Sequence, residues 1–269
     1  MNLKRLKDNL LHINNLRKFL GYEIFRQATA SSLKLEIIKT PPEGRVLILS
    51  PHLDDDVIGC GGIIKLHIQK DDQVKIVYLA DGSGGLPKNK IFTRSDRRRL
   101  AQTREKEAKE ATLILGVDEP IFWRYQDGHF SANSTTIKLL ENILSTFSPD
   151  IIYLPSFLDP HPDHLETCKI FCEVLPRYDF SGQIFSYEIW SPIYANRLVN
   201  IDKVIDYKKR ALLAHKSQLS SRGYLEAIMG LNQYRAGMFD AGKYAEGFFA
   251  CNKKLYLQLF ELLNLRVKK

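Results

Sequence analysis

The stretch Val46-Leu47-Ile48-Leu49-Ser50-Pro51-His52-Leu53-Asp54-Asp55-Asp56 decides the fold. Its first four residues form a short apolar run, as expected of a strand buried on both faces. The run passes directly into a histidine and three carboxylates, and residues 56–69 then carry a helical pattern. A strand, a polar loop and a helix in that order begin a parallel βαβ unit. Working outward, the alternation repeats. Strands are predicted over residues 74–79, 120–125, 150–154 and 183–190, and helices over 96–115, 135–147 and 162–175. Gly116 stands in the C-cap position of the second helix, and Pro162 suits the first turn of the fourth. The expected fold is α/β. It is a Rossmann-like, doubly wound, mainly parallel sheet of order 3-2-1-4-5, counted from residues 46–49 as strand one, with helices on both faces.

In that order strands one and four are neighbours, and the crevice beyond their C-terminal ends is the expected ligand site. Strand four runs into Pro155-Ser156-Phe157-Leu158-Asp159-Pro160-His161-Pro162-Asp163-His164. Two His/Asp clusters far apart in sequence are therefore expected to meet. Three consecutive carboxylates raise one another's pKa or need a cation. One Asp would serve as a helix cap; three behind a histidine point to a divalent ion such as Zn²⁺. His52, Asp55 and His164 are the candidate ligands, and Asp54 is left as a base. Gly59-Cys60-Gly61-Gly62 does not make a dinucleotide fingerprint, because Ile64 stands where the last glycine is required. These glycines instead suggest close packing of the helix on the sheet.

The chain carries 39 Lys/Arg against 31 Asp/Glu, a formal charge of +8. The excess lies at the ends. Residues 1–45 hold nine basic and four acidic residues, residues 253–269 five and one, and residues 46–252 have 25 and 26. A near-neutral body argues against a nucleic-acid partner. Residues 3–24 place leucines and isoleucines on one helical face among basic residues. The expected division is a basic amphipathic helical extension over 1–44, a catalytic domain over 45–252, and a basic C-terminal helix or tail over 253–269. Pro41-Pro42-Glu43-Gly44 marks the first boundary. The basic ends suggest peripheral contact with a membrane or a partner protein, and a homo-oligomer is compatible with them. With no signal-like or membrane-spanning run, the expected location is the cytoplasm.

The segment His52-Leu53-Asp54-Asp55-Asp56 resembles the HPDDE signature of the PIG-L/LmbE-like zinc N-deacetylases, and His161-Pro162-Asp163-His164 resembles their HPDH motif. Asp81-Gly82, the Arg104/Glu107/Ala111/Leu115/Gly116 spacing, Asp127-Gly128, Ala214-His215-Lys216-Ser217-Gln218 and Tyr244-Ala245-Glu246-Gly247-Phe248 extend the likeness over about residues 45–250. Leu53 and Asp56 depart from the usual Pro and Glu. The resemblance implies a metal-dependent hydrolase that removes the N-acetyl group from an N-acetylated amino sugar of GlcNAc type. It implies metal ligands at His52, Asp55 and His164, with Zn²⁺ the default and Fe²⁺, Co²⁺ or Mn²⁺ alternatives. It further implies that Asp54 is the general base acting on metal-bound water and then the acid for the leaving amine. His161, if protonated, would stabilise the oxyanion, with Asp163 holding it charged, and Arg104 and Asp127 would contact substrate. Trp190-Ser191-Pro192 is a candidate pocket wall, and His215 is read as structural. Two other readings stay open: an amidase for a thiol-sugar adduct or acylated antibiotic, and a basic surface-binding protein with a vestigial site.

Overall fold

The structure, a computed structural model, describes residues 34–85, 93–219 and 223–263. The predicted helix over 3–24 lies outside the described residues. Among the described residues eight strands form one sheet: β1 (Glu36–Ile38), β2 (Val46–Ser50), β3 (Val74–Ala80), β4 (Ile121–Tyr125), β5 (Ile151–Pro155), β6 (Gln183–Tyr187), β7 (Arg197–Asn200) and β8 (Ala245–Cys251). Their spatial order is β1-β7-β8-β6-β5-β2-β3-β4. The run β4-β3-β2-β5-β6 is parallel throughout and is the 3-2-1-4-5 order expected from the sequence.

The sheet is mixed rather than parallel to its edge. β8 runs antiparallel to both β6 and β7, and β1 pairs parallel with β7. β1 therefore takes residues from the stretch read as an N-terminal extension into the sheet itself. The fifth predicted strand stops at Tyr187 rather than at residue 190. It ends level with β5, whose last pair is Pro155 with Tyr187, and the next residue, Glu188, accepts at Oε2 from Arg235 Nη2 at 2.7 Å.

Helices cover both faces. Alternate residues of β2 split between two cores, as strand pleating demands. Val46 and Ile48 join one core; Leu47 and Leu49 join the other. The first core is covered by α1 (Asp55–Ile68), α2 (Arg94–Leu115), α5 (Ile205–Ala214) and α7 (Tyr224–Phe239), the last two linked by the short α6 (Lys216–Leu219). The second is covered by α3 (Ser134–Phe147), α4 (Pro162–Val174) and α8 (Lys253–Leu262). α8 falls within the stretch read as a basic helix or tail, and it buries Tyr256, Leu259 and Phe260. Among the described residues no helix is long and apolar enough to cross a membrane.

The glycines of α1 do bring it close to its neighbours. A Cβ at Gly59 would lie 2.4 Å from Tyr187 Cδ2, and one at Gly62 would lie 2.5 Å from Ile201 Cγ2. Beside them sits a buried ion pair that the sequence reading did not anticipate. Lys208 Nζ donates to Glu246 Oε1 at 2.6 Å and to the Ile58 carbonyl at 2.9 Å. Glu246 also accepts from the backbone of Gly62 and Ile63. Buried charges need partners once water is excluded, and here the ammonium and both carboxylate oxygens have them.

Candidate active site

β2 and β5 are adjacent, so the loops that follow them open into one crevice. Three predicted donors meet there. His52 Nδ1 lies 2.9 Å from Asp55 Oδ2, His164 Nε2 lies 3.2 Å from the same oxygen, and the two imidazole nitrogens are 3.4 Å apart. Tetrahedral coordination with ligand bonds of about 2.0–2.2 Å requires donors about 3.3–3.6 Å apart. The triangle has that size within a few tenths of an ångström, and its two-nitrogen, one-oxygen chemistry suits Zn²⁺ or a similar ion. His161 approaches the same point: donor atoms of His52, His161 and His164 all lie within 4.8 Å of one another.

Local structure explains the placement. Asp55 is the first residue of α1, and the backbone N–H of His52 donates to its Oδ2 at 2.9 Å. Ser50 Oγ receives the Asp56 N–H and donates to the His52 carbonyl, which closes the turn. His164 enters on the first turn of α4, with Pro162 ahead of it and His161 as N-cap.

The charges around the donors differ in part from the roles expected of them. Asp163 does not hold His161. Its Oδ2 lies 3.2 Å from His52 Nε2 and accepts the Gly128 N–H at 2.8 Å. His161 Nδ1 instead accepts the Asp163 backbone N–H. Burial lowers the His161 pKa, and the neighbouring His52 and His164 lower it further. With Nδ1 accepting, a proton on the ring belongs to Nε2, and burial and the two neighbouring imidazoles work against the charged form first expected. Asp127 also faces His52, with Oδ1 3.4 Å from Nε2. Burial opposes its ionisation, but His52 and Arg104 overcome this and bring its pKa to about 2. Burial likewise works against charge on His52, yet Asp55, Asp127 and Asp163 outweigh it and hold its pKa well above the ordinary value. One ring nitrogen of His52 thus faces the donor triangle while the other is braced by two carboxylates, the arrangement that orients a metal-binding imidazole.

Arg104 is turned onto the candidate base. Its Nη2 donates to Asp54 Oδ1 at 2.9 Å and its Nη1 to the Gly82 carbonyl at 3.1 Å. Asp56, two residues further on, is buried, and burial lifts its pKa to about 8, so it stands un-ionised at neutral pH with Tyr78 Oη donating to it at 2.8 Å.

Sequence reasoning missed Asp159. Its Oδ1 lies 2.9 Å from His164 Nδ1 and its Oδ2 accepts the Trp190 N–H, so it braces the second imidazole. Its position two residues before His161 was the available signal. His215 is buried, and neither ring nitrogen has a hydrogen-bond partner. It shares a small void with Asp54, Gln218 and Tyr224. The donor cluster opens into a cavity of about 1030 Å³ walled by Trp190, Pro192, Tyr224, Ile228 and Leu231. Trp190 and Pro192 are thus pocket wall, and the Trp190 ring stacks on His161 at 6.3 Å between centroids. His129 is exposed, and Phe122 and Trp123 belong to β4.

An open doubly wound sheet with a His/Asp donor cluster at the switch point, beside the Asp54 carboxylate, is the frame of a metal-dependent hydrolase. The sequence profile described as PIG-L, GlcNAc-PI de-N-acetylase, matches residues 47–175, which include both donor loops, and the chain is similar to this deacetylase family. It is 28% identical over 226 residues to the diacetylchitobiose deacetylase of Thermococcus kodakarensis, covering 76% of this chain and 81% of that protein. It is also 28% identical over 195 residues to a probable N-acetyl-alpha-D-glucosaminyl L-malate deacetylase 2 of Bacillus anthracis, covering 67% and 84%. The solved N,N'-diacetylchitobiose deacetylase from Pyrococcus horikoshii superposes with a TM-score of 0.68 at 25% identity, over 79% of this chain and 85% of that one.

Proposed function

We propose that this protein hydrolyses the acetamide of an N-acetylated amino sugar of GlcNAc type, releasing acetate and the free amine. The observation that carries the reading is the donor triangle of His52 Nδ1, Asp55 Oδ2 and His164 Nε2, with Asp54 at its rim. The names of its relatives support the substrate class. His52, Asp55 and His164 would hold the ion, with Zn²⁺ favoured by ligand type. Such an ion polarises the amide carbonyl and brings the pKa of a coordinated water toward about 7.

The chain's own residues do the rest. Arg104 occupies Asp54 Oδ1, so Oδ2 is the oxygen that takes a proton from the attacking water. Asp54 then returns that proton to the amine nitrogen as the C–N bond breaks. His161 Nδ1 is committed as an acceptor, so Nε2–H faces the cavity and donates to the carbonyl oxygen as negative charge builds on it. Asp127 and Asp163 hold the His52 ring in register. Arg104 and Asp127 serve the base and the imidazole before they serve a sugar.

The test is acetate release from a panel of N-acetylated sugars, with and without added metal. The metal-loaded wild type should release acetate, and Asp54→Asn should keep its metal while losing more than ~100-fold in rate. Acetate from none of the panel by fully loaded protein refutes the reading.

A further inference from the structure

The near-neutral body of the chain conceals a concentrated positive patch. Arg94, Arg97, Arg98 and Arg99 occupy the first turns of α2, and all four are exposed. Cations at a helix N-terminus oppose the helix dipole, so helix stability does not account for them. Local acids do not neutralise them either. Asp96 pairs with Arg99 at 3.0 Å and closes the capping box with Thr93. Among the described residues no carboxylate lies within ion-pair distance of Arg94, Arg97 or Arg98.

The patch stands at the rim of the catalytic cavity. Arg97 Nη1 reaches the Ser83 carbonyl at 3.5 Å, and the next two residues, Gly84 and Gly85, line the cavity. Arg97 and Arg104 are seven residues apart, which puts them on one face of α2 and about 10 Å apart along its axis. Arg104 marks the reacting end through Asp54. Arg97 therefore sits about 10 Å along α2 from the reacting end, with Arg94 and Arg98 on the adjoining first turns.

We propose that Arg94, Arg97 and Arg98 form a subsite for a carboxylate or phosphate carried on the aglycone of the substrate, so that the enzyme selects acidic glycosides of an N-acetylated amino sugar over neutral ones. The proposal rests on the deacetylase reading. Arginine forks suit both anions, and three at one rim bind a group with more than one oxygen. The cavity floor supplies no such selection, because its own cation, Arg104, is engaged by Asp54.

The test is the triple variant Arg94→Gln/Arg97→Gln/Arg98→Gln, metal-loaded, with Arg99→Gln as control. Acetate release is followed with N-acetylglucosaminyl malate, GlcNAc-1-phosphate and neutral N,N'-diacetylchitobiose. The triple variant should raise KM for the two acidic substrates about tenfold or more, as expected for lost charge-assisted contacts. It should leave kcat on them, and both constants for the neutral substrate, within about twofold. Arg99→Gln should change neither. An unchanged KM for the acidic substrates, or an equal loss on all three, overturns the subsite. So does loss of binding to phosphatidylserine-containing vesicles with the acidic KM intact, because the patch then serves a membrane surface. If wild type turns over none of the substrates, the deacetylase reading fails by itself. Calorimetric binding of GlcNAc-1-phosphate to Asp54→Asn, with and without the three arginines, then decides the subsite: tenfold weaker binding sustains it, and equal binding refutes it.

Discussion

Gly59→Ala tests whether α1 is pinned to the sheet tightly enough to hold the site. Alanine is the better helix former by about 0.8–1 kcal/mol, so propensity alone predicts stabilisation. The structure predicts the opposite. A Cβ on Gly59 would sit 2.4, 2.9 and 3.1 Å from three carbons of Tyr187. Comfortable carbon–carbon contact begins near ~3.5 Å, so the worst overlap is about 1 Å. Tyr187 has little room to yield: its ring is fully buried, its hydroxyl donates to the Leu49 carbonyl at 2.8 Å, and β6 lies between β5 and β8. α1 must move instead. Overpacking of this kind costs about 1–3 kcal/mol, which leaves a net loss near 1 kcal/mol and about 2–4 °C in Tm. The functional effect is larger. Asp55 lies one turn from Gly59 on the same helix. Metal-site distances tolerate only about ±0.2 Å, so a displacement of the order of the overlap should weaken metal binding about tenfold or more. Gly230→Ala on α7 is the control. A Cβ there meets nothing within 4 Å, so it should raise Tm. The assays are thermal denaturation of metal-free protein and competition for metal with a chromogenic chelator. If Gly59→Ala raises Tm as Gly230→Ala does and binds metal as tightly as wild type, the packing argument is wrong.

Two further outcomes are expected. Exhaustive chelation should abolish activity and lower Tm, and readdition of Zn²⁺ should restore both; saturation to 100 times Kd is worth about 2.7 kcal/mol of stability. A chelated protein with unchanged Tm would argue that no ion joins the donor triangle. Burial lowers the His215 pKa from 6.5 to about 4, against a smaller raising effect of Asp54. The unfolded chain therefore takes up the proton first. The stabilisation is complete above pH 6.5 and is lost as pH falls toward 4, by up to about 3 kcal/mol. In urea titrations across that range His215→Gln should flatten the acid limb, and an unaltered slope would exclude His215 as its source.

The parallel half of the sheet and the meeting of two distant loops were legible because their signals are local. Val46–Leu49 and Ile151–Leu154 are unbroken apolar runs, and each leads straight into its donors. β7 and β8 were not legible. β7 is four residues long, and β8 carries Glu246, which reads as a solvent-facing charge until Lys208 arrives from α5 to pair with it. The donors themselves were readable as residue types at strand ends. Their partners were not, because sequence adjacency says nothing of side-chain direction. Asp163 neighbours His161 and His164 in the motif, but its carboxylate turns to His52, 111 residues away. Arg104 has helix neighbours to pair with, but its guanidinium reaches Asp54 across 50 residues. Both outcomes follow from where α2 and α4 meet the loop after β2, a tertiary fact.

β8 makes the order of synthesis matter. All donors of the candidate site lie between residues 52 and 164, so a growing chain possesses them well before it is complete. β7 has no route to β6 until residues 245–251 arrive between them, and β1, made first, can bond only to β7. A nascent chain that has passed the last donor therefore carries its metal-binding loops on a sheet with an open edge, and such edges invite mispairing. The last strand made is an interior strand. Trimming the protein from its C-terminal side past residue 251 would remove the middle of the sheet, splitting β1 and β7 from the rest. Shortening it before β1 leaves every strand pairing among the described residues in place.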